Sequence, residues 1–150
     1  QVLCFGNVNR HPSGRVVSVA YYTLVNINHI NLAVQDHELH WHSIHQVGNM
    51  AFDHNEILNT CLIRLQERVK AEPIGFNLLP EKFSMRSLQL LYESVLMVDL
   101  DRRNFRKKVM GTGLLIDMKE LESDVPHRPA KLFKFNSEKY RQQDIKGNFV

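Results

Sequence analysis

The sequence predicts an α+β chain in two parts. The first half is strand-rich with one long helix, and the second has two helices followed by a two-stranded hairpin. Three observations carry this reading. Val16 to Val25 is dense in Val, Tyr and Thr, the residues that suit a pleated surface. Ile57, Leu58, Cys61, Leu62, Leu65 and Val69 recur at helical spacing. From Ser84 onward, two helical patterns separated by a short turn precede two strand patterns.

Residues 1–8 read as a strand running into a turn punctuated by Pro12-Ser13-Gly14. In the strand Val16–Val25, Val17, Val19 and Tyr21 face one way, while Val16, Ala20, Tyr22 and Leu24 face the other. Two apolar faces predict a central strand covered on both sides. Asn26–Leu39 reads as loop, His40–Ile44 as an edge strand and His45–Phe52 as irregular. Asp53 with Glu56 three residues later forms a capping-box variant opening a helix over 54–70. Glu72-Pro73-Ile74-Gly75 ends that helix, and 73–80 reads as a linker with apolar anchors. The predicted domains are 1–80 and 81–150.

Ser84 caps a helix over 85–97 with the stripe Leu88, Leu91, Tyr92, Val95 and Leu96. Val98-Asp99-Leu100 is a tight turn, and Asp101 caps the next helix, which Gly111 and Gly113 stop. Leu114–Met118 and Ala130–Phe135 read as antiparallel strands joined by a long loop, 119–129. The tail from Asn136 to Val150 reads as polar and partly disordered.

Charge separates the halves. Residues 1–80 hold 5 Lys/Arg against 6 Asp/Glu, and residues 81–150 hold 14 against 10. The net charge of +3 therefore arises in the C-terminal half, which points to an anionic partner there. No apolar run approaches the ~20 residues that span a bilayer. The start, Gln1-Val2-Leu3-Cys4-Phe5, has no basic segment of the kind that opens a signal peptide. It lacks Met and begins inside a predicted strand, as a piece of a longer protein would. Cys4 and Cys61 have no CxxC partner and read as two buried, reduced thiols of a cytoplasmic protein.

The basic excess is concentrated in Leu100–Lys108, where Arg102, Arg103, Arg106, Lys107 and Lys108 accompany Asn104. On a helix, Phe105 and Val109 share one face. At about 100° per residue, Arg103 and Lys107 fall opposite them. A solvated surface helix is the plain alternative, but the order helix, turn, basic helix, hairpin is that of a winged helix-turn-helix. In such a unit the second helix enters the major groove and reads base edges from its N-terminal end. Arg pairs bidentately with guanine and Asn with adenine, while the first helix and the wing hold phosphates. Arg103, Asn104 and Lys107 are assigned to base edges, and Arg102, Arg106, Lys108, Arg128 and Lys131 to phosphates. Glu120, Glu122 and Asp124 crowd the wing loop and oppose phosphate there.

Other chemistry is weakly signalled. His37, His40, His42, His45 and His54 cluster in sequence, but no HExxH or Cys/His set completes a metal site. Gly111-Thr112-Gly113 lacks the context of a phosphate loop, and no serine nucleophile elbow is present. No cofactor or metal is implied.

These residues resemble the Nudix-related transcriptional regulators. Leu100–Lys108, Gly113-Leu114-Leu115 and Arg128–Phe135 are similar to that family's winged-helix module. Phe5–Arg10, Pro12–Tyr22, Ala51-Phe52-Asp53-His54 and Pro73–Pro80 are similar to the later part of its Nudix domain. The resemblance implies a partial Nudix-like mixed sheet with a helix, followed by a winged helix-turn-helix. It also implies a cytoplasmic homodimer that binds an operator and senses a sugar such as arabinose, or ADP-ribose. The Nudix box, which would precede residue 10, is absent from this chain. Without its carboxylates there is no Mg²⁺ cluster to polarise a pyrophosphate, so the chain is expected not to be an enzyme. The family's Arg-Asp-Pro is Arg10-His11-Pro12 here. The alternatives are a fragment of an ADP-ribose pyrophosphatase and a module that presents its basic helix to an acidic protein.

Overall fold

The computed structural model describes residues 1–26, 40–123, 126 and 128–142. The predicted loop beyond Asn26, His37, Asp124, His127 and the last eight residues of the tail lie outside them. The chain divides into two compact units, Gln1–Arg64 and Leu65–Val150.

In the first unit, β1 (Cys4–Phe5) pairs antiparallel with β2 (Ser18–Val19), matching Cys4 to Val19 and Phe5 to Ser18. Val2 N–H donates to the Ala20 carbonyl at 2.8 Å, and Ala20 N–H to that of Leu3 at 2.9 Å. The long central strand expected over Val16–Val25 thus condenses to a short pairing. Nor is it covered on both faces, since Val17 is 60% and Tyr21 68% exposed. A β-rich sequence becomes strand only where a partner supplies its ladder, and among the described residues only 2–5 do so. The edge strand expected at His40–Ile44 is also replaced, by a 3-10 turn over Ile44–Gln46 closed by Gln46 N–H on Ser43 O at 3.0 Å. A local turn satisfies its own backbone without a neighbouring strand.

Helix α1 (His54–Ala71) follows the sequence reading. Its stripe residues, from Ile57 to Val69, are half-buried or buried. The Asp53 carbonyl accepts from Ile57 N–H at 3.0 Å, as a capping position does.

The second unit packs around Val69, Phe76, Phe83, Met85, Leu88, Tyr92, Leu96, Phe105, Val109, Leu114 and Phe133. Val69 and Phe76 belong to this core, so residues 65–80, expected with the first domain, pack with the second. A 3-10 turn over Ile74–Leu78 carries Phe76 against Phe135, with ring centroids 4.3 Å apart. Gly75 lets the same turn sit close to Leu91: a Cβ there would lie 3.1 Å from the Leu91 side chain.

Strand β3 (Phe83–Ser84) leads into α2 (Met85–Leu96), whose first turn is capped by Ser87 N–H donating to Ser84 Oγ at 3.2 Å. Helix α3 (Arg102–Gly111) starts at Asp101, whose Oδ1 accepts from Asn104 N–H at 2.8 Å. Gly113, at φ 64, turns the chain out of α3. Strands β4 (Leu115–Leu121) and β5 (Lys131–Phe135) form the wing. The sheet has three strands in the order β3-β5-β4, all antiparallel, rather than the expected two. Residues Phe83 and Ser84 are too short a run to show a strand pattern by themselves. Part of the tail is ordered as α4 (Ser137–Gln142), where partial disorder was expected. Asn136 Oδ1 accepts from Lys139 N–H at 2.9 Å, and Tyr140 rests against Phe135 at 5.8 Å.

Candidate nucleic-acid interface

The turn between α2 and α3 is tied by side chains. Gln89 is 2% exposed, and its Nε2 donates to Glu93 Oε1 at 2.7 Å and to the Leu100 carbonyl at 2.8 Å. Leu100 N–H donates to the same Glu93 oxygen at 3.1 Å. Two residues of α2 thereby hold the residue just before the cap of α3. The sequence carried one signal for this clamp: Gln89 is a polar residue inside an apolar stripe, and such a residue demands a partner.

The Leu100 N–H, and after it the Gln89 amide, hold the Glu93 carboxyl below its ordinary 4.5. A lowered carboxylate adds stability above its unfolded value and loses it as pH falls through the folded one. Glu93→Gln is therefore expected to lower the thermal midpoint near neutrality, with the gap to the parent narrowing below pH 4.5. Unfolding curves at several pH values check this, and a gap constant with pH would remove the charged clamp.

On α3, Phe105 at 3% and Val109 at 0% exposure are the pinned face. Arg102, Arg103, Asn104, Arg106, Lys107 and Lys108 are all exposed. Among the described residues, none of these five cations is in an ion pair. By helical geometry Arg103 and Lys107 point away from the core, Arg102 and Arg106 lie on one flank, and Asn104 and Lys108 on the other. The Arg106 guanidinium lies 5.9 Å from the ring centre of Phe133 in β5.

The wing acids are less hostile to phosphate than their sequence positions suggest. Glu120 is paired with Lys82 at 2.6 Å, and Glu122 accepts from Ala130 N–H at 3.1 Å. Lys131 remains 62% exposed with Asp117 3.5 Å away, and Arg128 is exposed. Asp117 also accepts from Lys119 N–H at 2.8 Å, at a register shift between Asp117 and Leu121 that bulges β4.

Residues 75–135 match the NrtR DNA-binding winged helix domain. Over that span the chain is similar to an NrtR-type winged helix domain. The match runs from the 3-10 turn before β3 to the end of β5, so it contains the clamp and every assigned DNA residue. The chain as a whole is homologous to the ADPR responsive transcriptional repressor NtrR of Acinetobacter baylyi. It is 29% identical over 143 residues, covering 93% of this chain and 57% of the repressor. It also resembles the crystal structure of Shewanella oneidensis NrtR complexed with a 27mer DNA, with TM-score 0.72 and 26% identity over 90% of this chain and 63% of that one. Against the crystal structure of Shewanella oneidensis NrtR the TM-score is 0.66, at 26% identity over 90% and 62% of the two chains. The resemblance to Nudix-related regulators read from the sequence is thus upheld, as is the winged helix within a mixed α/β chain.

Outside residues 75–135, sequence reasoning missed one constellation. Arg10 binds Asp53 bidentately, Nε to Oδ2 at 2.6 Å and an Nη to Oδ1 at 2.9 Å, and its other Nη donates to Ser18 Oγ at 2.7 Å. The carboxylate expected to serve as a helix cap binds Arg10 and so anchors the 9–15 turn. Hydrogen bonding to Arg10 lowers the Asp53 carboxyl and raises the guanidinium. Arg10 and Asp53 are 43 residues apart, which no local pattern reports.

Among the described residues, no His/Cys/Asp/Glu group is arranged to hold a metal. His40 and His42 face each other edge-on at 6.3 Å. Cys4 is exposed rather than buried, and Cys61 is half-buried; both thiols are free. Among the described residues, no helix is long and apolar enough to cross a membrane.

Proposed function

We propose that this chain belongs to a transcriptional regulator that binds operator DNA through α3 and is controlled by ADP-ribose. One observation carries the first part. Five cations stand exposed, without carboxylate partners among the described residues, on a helix whose other face is locked into the core. That arrangement leaves the charge for an external anion, and a relative with the same domain has been crystallised on DNA. Arg103, Asn104 and Lys107 face base edges, while Arg102, Arg106, Lys108, Arg128 and Lys131 face phosphates. The effector is carried over from the Acinetobacter repressor, whose name specifies ADPR and so favours ADP-ribose over arabinose. The same name favours regulation over pyrophosphate hydrolysis. A cytoplasmic homodimer on a two-part operator completes the reading.

A gel shift on the DNA upstream of the protein's own gene tests it. The chain is expected to shift that DNA at low salt, ADP-ribose to change the shift, and arabinose to leave it unchanged. Absence of any shift at low salt would transfer α3 to an acidic protein partner.

A further inference from the structure

We infer that the crevice between the start of α2, α3 and β5 is a single phosphate seat on the DNA backbone, completed by Arg86. The inference rests on the DNA-binding reading above and adds a residue and a place to it. Arg86, Arg102, Arg106 and Lys131 line one crevice of about 170 Å³, with Gln89 and Phe133 in its walls. These four cations come from three different elements, so their convergence is a product of folding and of no sequence run.

Like charges gathered in a partly enclosed space repel more strongly than on open surface. Such a cluster is stable when an anion joins it. The neighbouring carboxylates neutralise it only in part. Glu93 lies 3.9 Å from Arg86, and Asp117 lies 3.5 Å from Lys131. Arg102 and Arg106 have no ion pair among the described residues.

The walls are preorganised. Gln89 is held by its bonds to Glu93 and Leu100, and Arg106 lies beside the Phe133 ring. Arg86, 54% exposed, is free to swing over an entering oxyanion and form charge-assisted hydrogen bonds. Location selects the backbone of DNA as the source. Arg102 and Arg106 flank the outward face of Arg103 and Lys107 by about 100° on the helix. A duplex that takes that face in its groove therefore brings a strand of phosphates along the crevice. A free phosphate group offers the same oxygens without that alignment.

The test is fluorescence anisotropy of the full chain and Arg86→Gln on a random-sequence duplex, between about 50 and 200 mM salt. Arg141→Gln, on the exposed surface of α4, is the control. The expected result is weaker binding by Arg86→Gln, with the slope of log affinity against log salt smaller by about 0.9, the value for one phosphate contact. The control should retain the parent slope. An unchanged slope in Arg86→Gln, with the parent binding normally, overturns the phosphate seat and leaves the DNA-binding reading standing. Failure of the parent itself to bind any duplex defeats the reading and the seat together. Inorganic phosphate, titrated at constant ionic strength and followed by calorimetry, separates the two sources. Heat lost in Arg86→Gln alongside an unchanged duplex slope would assign the crevice to a small anion and overturn the inference.

Discussion

Phe105→Ala is expected to destabilise the C-terminal unit by about 3–5 kcal/mol, the range for removing a large aromatic from a packed core. Phe105 is 3% exposed, and its ring lies 5.7 Å from that of Tyr92, which is itself fully buried. It is also one of only two buried side chains on a helix otherwise covered in cations. Removing it leaves Val109 alone to hold α3 against like-charge repulsion. A domain of this size has a total stability of roughly 5–15 kcal/mol, so much of the margin goes with one side chain. Chemical denaturation of the full chain measures the loss, and DNA binding should fall with it even at temperatures where the variant remains folded. Phe105→Leu should retain most of both. If the Ala variant unfolded at the parent's midpoint, α3 would not be pinned through this residue.

Arg103→Ala is expected to cost about 1–3 kcal/mol on the operator, or roughly five- to 150-fold in affinity. Its effect on random duplex should be much smaller. The guanidinium stands opposite Phe105 with no ion pair among the described residues, so truncation removes an outward contact without exposing core. Lys108→Ala provides the contrast. It should weaken operator and random DNA alike and reduce the salt slope by about 0.9. Titrations of both variants on both duplexes separate base reading from backbone holding. Equal losses on the two duplexes for Arg103→Ala would move that residue from the bases to the backbone.

The two kinds of element differed in how far their own residues announced them. The stripe of α2, the serine before it and the aspartate before α3 are all local signals, and the helices begin where those signals stand. Both faces of α3 were legible for the same reason, since periodicity sorts Phe105 and Val109 from Arg103 and Lys107. Strands fared differently. Val16–Val25 has strong strand composition, yet only Ser18–Val19 is strand, while Phe83–Ser84, which shows no strand pattern, pairs with β5. A helix satisfies its backbone within a few residues, but a strand depends on a partner far along the chain.

The same distinction divides the candidate site. By itself, the sequence determined that a basic helix would be capped at Asp101, anchored at Phe105 and Val109, and followed by a hairpin. Composition and spacing within about ten residues are sufficient for that, because helix caps and stripes are made by near neighbours. Only the tertiary structure decided that Gln89 and Glu93 grip Leu100, that Lys82 occupies Glu120, that Arg10 takes Asp53, and that Arg86 joins Arg102, Arg106 and Lys131 around one crevice. The first three pair charge or hydrogen-bonding capacity, and the last gathers like charges, across distances the chain closes only on folding. Burial and the exclusion of water then select which of the many oppositely charged or polar side chains actually meet.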